Sequence, residues 1–170
     1  MPARILVEAR PGAGKTTAFR RLAELLRDAG VPVAGFTTEE IRDRGRRVGF
    51  AVESLGGERG TLAHVSLPGP PRVSKYGVDL AEFERVALPS LRVPAGGVAL
   101  IDELGKMELA SEAFRAAVEE LLDSKTPLAA TVQASKHPFT DGLKRRLELI
   151  RLTAANRDEL PERLARRLRL

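Results

Sequence analysis

The run Ala9-Arg10-Pro11-Gly12-Ala13-Gly14-Lys15-Thr16-Thr17 constrains this chain more than any other stretch. It follows a short apolar run, Ile5-Leu6-Val7, and precedes a helical pattern from Ala18 to Ala29. Strand, glycine-bearing turn, Lys-Thr and helix together make the context of a phosphate-binding P-loop. Such a site needs many donors converging on one small volume. A tight loop supplies backbone N–H groups, and the helix it opens adds its unpaired first-turn N–H groups and its dipole. In such a loop Lys15 reaches the β- and γ-phosphates, and the Thr16 hydroxyl completes the shell of a Mg²⁺ ion. One position departs from the spelling G-x-x-x-x-G-K-[ST]. Ala9 stands where glycine is usual, which carries a cost if the loop needs positive φ there.

Hydrophobic periodicity extends the pattern. Arg4 to Val7 reads as a buried strand and Thr16 to Asp28 as a helix with Phe19, Leu22, Leu25 and Leu26 on one face. Gly30 stops that helix, and Val31 to Thr37 reads as the next strand. Val48, Phe50 and Val52 alternate with smaller or polar residues, Gly56-Gly57 makes a turn, and Leu62 to Leu67 runs extended. This predicts an antiparallel hairpin over 48–66, with Arg42 to Arg47 as a charged turn before it. Leu67 to Pro71 is a rigid loop, and Asp79 can cap a helix carrying Leu80, Phe83, Val86 and Ala87. Ser111 opens another helix, Leu128 to Val132 is a strand, and 137–144 a short helix. Leu147 to Leu152 reads as a last strand and Asp158 to Leu168 as a closing helix. The expected fold is α/β in three layers, a mostly parallel sheet with an antiparallel hairpin added, within one domain over residues 1–170.

Between these elements lies a second chemical constellation. Val98-Ala99-Leu100-Ile101 is an apolar strand that ends in Asp102-Glu103. In a parallel sheet the carboxyl end of such a strand lies beside the P-loop, where ligands collect. The pattern is that of a Walker B element: Asp102 for Mg²⁺, directly or through water, and Glu103 to orient and deprotonate an attacking water.

Composition narrows the setting. The chain is 43% hydrophobic and 30% charged with no Cys, so disulfide and thiolate chemistry are excluded. The two His residues are far apart, so no zinc site is expected. No apolar run is long enough to span a membrane and no signal-peptide shape opens the chain, which sets the expectation of a cytoplasmic address. The net charge of +5 resides in residues 144–170, where nine basic residues face four acidic ones. A basic closing helix admits a nucleic-acid contact. With six Phe, one Tyr and no Trp, few side chains remain to stack bases, and a solvated Arg-rich face is the favoured reading.

A set of motifs resembles the THEP-type nucleoside-triphosphatase family, also described as cancer-related nucleoside triphosphatases. They are Gly35-Phe36-Thr37-Thr38-Glu39-Glu40, Gly45-Arg46-Arg47-Val48-Gly49-Phe50, Lys75-Tyr76-Gly77-Val78-Asp79, Asp102-Glu103-Leu104-Gly105-Lys106-Met107-Glu108-Leu109 and Thr153-Ala154-Ala155-Asn156-Arg157-Asp158. The resemblance implies a RecA-like fold and Mg²⁺-dependent hydrolysis of ATP, GTP and other nucleoside 5′-triphosphates to diphosphate and phosphate. It implies nucleotide contacts from the P-loop and from Leu100, Ile101, Asp102, Glu103, Leu104, Gly105, Lys106 and Met107. Where the family usually has Thr-Gly, this chain has Glu8-Ala9. Glu8 either sets a carboxylate near the phosphates or points away from them.

Weaker candidates stay open at this level. Lys106 either approaches the γ-phosphate or follows Gly105 in a turn. Glu39 and Glu40 read as surface helix caps before they read as ligands, and Asn156 as a helix N-cap before Asn156-Arg157 reads as a base-contacting loop. Two other functions compete with hydrolysis. One is a small P-loop kinase, with Arg42, Arg44, Arg46 and Arg47 as a phosphate-clamping lid. The other is a nucleic-acid-associated ATPase using the basic tail. The acid that follows Asp102 favours the hydrolase, and no Asn-Lys-x-Asp run marks a guanine-specific switch.

Overall fold

A computed structural model describes residues 2–169. Strand β1 (Arg4–Glu8) runs through Ile5, Leu6 and Val7, all fully buried, and leads through the glycine-bearing turn into α1 (Lys15–Asp28). That helix buries Ala18, Phe19, Leu22, Ala23 and Leu26 and turns Arg20 and Arg21 outward, which is the face its spacing predicts. Gly30, at φ 79°, ends it, with Val31 N–H returning to the Leu26 carbonyl.

The remaining strands and α-helices are β2 (Val33–Asp43), β3 (Arg46–Ser54), β4 (Arg59–His64), β5 (Arg72–Val73), β6 (Tyr76–Val78), α2 (Leu80–Ser90), β7 (Val98–Ile101), α3 (Glu112–Asp123), β8 (Leu128–Val132), α4 (Pro138–Arg146), β9 (Glu148–Arg151) and α5 (Leu160–Leu168), with one 3-10 turn at Glu108–Ala110 before α3. They form one nine-stranded sheet in the order β5-β6-β4-β3-β2-β7-β8-β1-β9. The block from β2 to β9 is parallel, and the block from β3 to β5 is antiparallel. Helices cover both faces. α1 and α5 pack on one, through Phe19, Leu22, Leu160 and Leu164. On the other, Phe36, Phe83 and Phe114 meet edge to face, with ring centroids 5.2–5.6 Å apart, beneath α2 and α3. Among the described residues no helix is long and apolar enough to cross a membrane.

The antiparallel part exceeds the expected hairpin. β2 does not stop at Thr37. After its parallel pairing with β7 through Phe36 it continues to Asp43 against β3. The run expected as a charged turn is mostly strand: Arg42 pairs with Arg47 and Asp43 with Arg46, leaving Arg44 and Gly45 as the turn. The like charges are tolerated because Arg42 and Arg47 both close on the Glu40 carboxylate, at 2.6 and 3.2 Å. The short strands β5 and β6, flanked by prolines and glycine, extend the wing further. The closing helix begins at Leu160 instead of Asp158.

One glycine in β2 matters for the site. Gly35 lies opposite Leu100 of β7 at φ 115°, and a Cβ there would run into the Leu100 carbonyl. Its absence lets β2 and β7 lie close together, with Asp102 N–H bonded to the Phe36 carbonyl.

Candidate active site

Strands β2, β7, β8, β1 and β9 are parallel, so their carboxyl ends form one edge. The turn after β1 sits on that edge, tied down by Ala9 N–H to the Val132 carbonyl (3.2 Å) and Ala13 N–H to the Arg10 carbonyl (3.1 Å). Gly12 (φ 79°) and Gly14 (φ 91°) take left-handed conformations, and Gly14 is the N-cap of α1. No side chain caps that helix and no acid occupies its first turn. Its leading N–H groups therefore face outward with the positive end of the dipole, as an anion site requires. Ala9 is buried and its φ is not positive, so alanine at this position carries no backbone cost. Arg10, Pro11, Gly12 and Thr17 lie at the surface.

Two side-chain pairs join this loop to the end of β7. Lys15 Nζ lies 2.5 Å from Glu103 Oε2, and Thr16 Oγ1 donates to Asp102 Oδ2 at 2.6 Å. The adjacent carboxylates, joined by a cis peptide bond, take different partners. Asp102 is fully buried and also accepts from Thr131 Oγ1 at 2.7 Å, whereas Glu103 accepts from Gln133 Nε2 at 3.1 Å. Burial pushes the Asp102 carboxyl above its ordinary range, against the hydrogen bonds from Thr16 and Thr131 that favour its charged form. Thr16 Oγ1 and Asp102 Oδ2 form an all-oxygen pair at the mouth of the loop. That donor set fits Mg²⁺, a hard cation that needs few protein ligands where phosphate and water oxygens complete its octahedron. Among the described residues no group of three or more His, Cys, Asp or Glu side chains is placed to hold a metal.

The rest of the 100–107 segment supports these two acids. Leu100 and Ile101 are buried on opposite faces of the sheet, Leu104 is buried, and Met107 packs against the core. Lys106 is exposed, with no side-chain hydrogen bond or ion pair among the described residues. Beyond them, Glu108 is buried at 3% exposure. Burial first, then the charges of Glu103 and Asp102, hold its carboxyl well above the usual carboxylate range. A Cβ at Gly105 would lie 3.0 Å from Glu108 Oε1 and 3.1 Å from Glu103 Oε1, so the two carboxyl groups flank this glycine.

Several of these residues escape the sequence patterns. Gln133 and Thr131 reach the site because β8 lies between β7 and β1. The available signals were a buried hydroxyl in an apolar strand and a polar residue just past its end. Glu8 points toward a cluster of cations: its carboxylate meets Lys144 at 2.9 Å and Arg151 at 3.3 Å, and Lys144 also donates to the Gln133 carbonyl at 2.9 Å. Glu39 and Glu40 cap no helix. Both are strand residues, Glu39 held by Arg59 (2.6 Å) and Arg20 (3.0 Å) and Glu40 by Arg42 and Arg47. Asn156 is not the N-cap of α5, which Glu159 precedes. Its side chain closes a turn instead, accepting from Thr153 N–H and donating to the Arg151 carbonyl, each at 2.8 Å.

Comparison with known proteins agrees with this architecture. The NTPase family model matches residues 4–165. The chain is 42% identical over 161 residues to the nucleoside-triphosphatase THEP1 of Thermotoga sp. (strain RQ2), covering 92% of this chain and 90% of that protein. The crystal structure of THEP1 from the hyperthermophile Aquifex aeolicus superposes with a TM-score of 0.82 at 32% identity, covering 94% of this chain and 95% of that one. The solution structure of a human cancer-related nucleoside triphosphatase gives a TM-score of 0.82 at 39% identity, covering 96% of each chain.

Proposed function

This chain belongs to the NTPase family, and from that premise we propose that it hydrolyses nucleoside 5′-triphosphates in a Mg²⁺-dependent reaction, as one P-loop domain. The observation that carries the reading is the convergence of Lys15 with Glu103 and of Thr16 with Asp102 above the opening turn of α1. Backbone N–H groups of the loop bind the phosphates and Lys15 adds a cation at the β- and γ-phosphates. Thr16 and Asp102 would hold Mg²⁺, Asp102 directly or through water, and the ion would supply neutralisation of charge on the phosphate oxygens. Glu103 takes a proton from the water whose oxygen attacks the γ-phosphorus. The bond from that phosphorus to the bridging oxygen breaks, and nucleoside diphosphate and phosphate leave. Gln133, on the other Glu103 oxygen, orients the carboxylate for this transfer.

The test is phosphate release from ATP, GTP, CTP and UTP, with and without Mg²⁺. The parent protein is expected to turn over several of them, and Lys15→Ala none. Asp102→Asn weakens the Mg²⁺ dependence and the binding of the metal–nucleotide complex together. Turnover that requires an added nucleotide or metabolite acceptor would replace hydrolysis with group transfer. Unchanged turnover in Lys15→Ala would move the site elsewhere.

A further inference from the structure

Beside the P-loop, on the side away from β8, lies the loop that follows β9. It emerges there because β9 pairs in parallel with β1, with Leu152 N–H bonded to the Glu8 carbonyl. Asn156 braces the loop, the Thr153 carbonyl accepts from Arg157 N–H at 3.0 Å, and Leu160 anchors its far end in the core beside α1. The side chain that this turn lays against the P-loop is Arg157. Its Cδ lies 3.4 Å from where a Cβ on Gly14 would stand, so its aliphatic stem rests on the last residue before Lys15. The arginine side chain is half exposed, and its one ionic partner among the described residues is the fully exposed Asp158, at 4.0 Å. A planar cation is thus held at the rim of the phosphate loop with its end uncommitted.

We propose that Arg157 stacks its guanidinium on the nucleobase of the bound nucleotide and is the residue by which the site grips the nucleoside without reading which base it carries. The inference rests on the nucleotide site proposed above. Two observations favour base over phosphate. First, the phosphates already have Lys15 and the N–H groups of α1. Second, the aromatic side chains are committed elsewhere: Phe19, Phe36, Phe83, Phe114 and Tyr76 are buried, and Phe50 and Phe139 pack against the core. No Phe or Tyr ring is therefore free at this mouth for a base to lie on, and the Arg157 guanidinium is a planar group at hand. Stacking on a π-face tolerates every base, because it uses none of the donors and acceptors that distinguish them.

The experiment compares the parent protein with Arg157→Ala, Arg157→Lys and Arg157→Tyr. It measures kcat and KM for the four NTPs, and equilibrium Kd for the same NTPs and for inorganic tripolyphosphate, which has no base. Arg157→Ala is expected to raise KM and Kd for every NTP by roughly 5- to 150-fold, the range of one lost stacking contact, with kcat within about threefold of the parent. Kd for tripolyphosphate stays at the parent value. Arg157→Lys, which keeps charge without a plane, does not rescue, whereas Arg157→Tyr, which keeps a plane without charge, does. Tripolyphosphate affinity falling in parallel with NTP affinity would overturn the proposal in favour of a phosphate contact, and so would unchanged NTP affinity in Arg157→Ala. Because Kd is read without turnover, a parent protein that binds but does not hydrolyse would refute the hydrolase reading and leave this test intact.

Discussion

Lys15 Nζ and Glu103 Oε2 are 2.5 Å apart, in a pair only 14% and 16% exposed. The lysine proposed to hold the phosphates is therefore hydrogen-bonded to the carboxylate proposed to take the proton from water. A γ-phosphate competes with Glu103 for that ammonium, and its own charge repels the carboxylate. Glu103→Gln is accordingly expected to do two opposite things. Hydrolysis slows by roughly 10²–10⁴, the usual worth of a general base. NTP binding tightens by roughly three- to tenfold, equivalent to about 1 kcal/mol for a partly exposed ion pair. Single-turnover hydrolysis and a nucleotide titration on the same variant check both. Parent-rate hydrolysis would remove Glu103 from its role, and weakened binding would remove the competition.

Glu8 stands where the resembled family has threonine, and its carboxylate is neutralised by Lys144 and Arg151. Restoring threonine leaves Lys144, itself 16% exposed, with the Gln133 carbonyl alone. Glu8→Thr is expected to lower stability by about 1–3 kcal/mol, the cost of a partly buried group losing its charged partner. It also leaves two cations uncompensated beside the P-loop, so NTP affinity rises several-fold at low salt and the gain fades as ionic strength increases. Denaturant unfolding and affinity across a salt series read the two effects. Parent stability in Glu8→Thr would show that these ion pairs are idle.

Glu108 sets a pH dependence. Its folded-state pKa is raised well above the ordinary value by burial and by the facing charges of Glu103 and Asp102. Between the unfolded and folded pKa values the native chain keeps a proton that the unfolded chain has released. Stability therefore falls as pH rises through that window. Glu108→Gln keeps the shape, removes the ionisation, and is expected to flatten the slope from mildly acidic to neutral pH. Melting temperatures of the two proteins across that range decide it, and parallel curves would assign the slope to other groups.

Gly35→Ala tests the frame that holds Asp102. The added methyl meets the Leu100 carbonyl, and the backbone at φ 115° is unfavourable for any L side chain. A loss beyond about 3 kcal/mol is expected, in the class of strain at a special backbone position. Asp102 is displaced with it, because its N–H is bonded to β2 at Phe36. Chemical denaturation measures the loss, and a variant as stable as the parent would mean that β2 and β7 can separate freely.

What could be read from the chain alone was local. Ile5–Val7, the turn through Gly14-Lys15-Thr16 and the Phe19/Leu22/Leu26 face each state their structure within a few residues, as does the apolar run that ends at Asp102. The antiparallel wing was less legible because Arg42 to Arg47 looks like a solvated turn until Glu40 is seen to hold both arms of the hairpin. Strands as short as Arg72–Val73 have too few residues to show alternation. Gln133 and Thr131 carried only a weak signal, for another reason. Their place beside Asp102 and Glu103 follows from the order of strands, which no spacing in the sequence encodes. Arg157 and Gly14 are likewise neighbours only because β9 closes the sheet next to β1.

That closure has a consequence for the order of events in a growing chain. β1 and the P-loop are made well before the strands that flank β1, which are residues 128–132 and 148–151. β2, next in sequence, pairs with β7 and is separated from β1 by two strands, β7 and β8. A ribosome-bound chain therefore carries its phosphate loop unframed until β8 and β9 have been made, and contacts of such sequence separation form slowly. Nucleotide capture thus waits for the completed sheet and does not arrive with β1 and α1 alone.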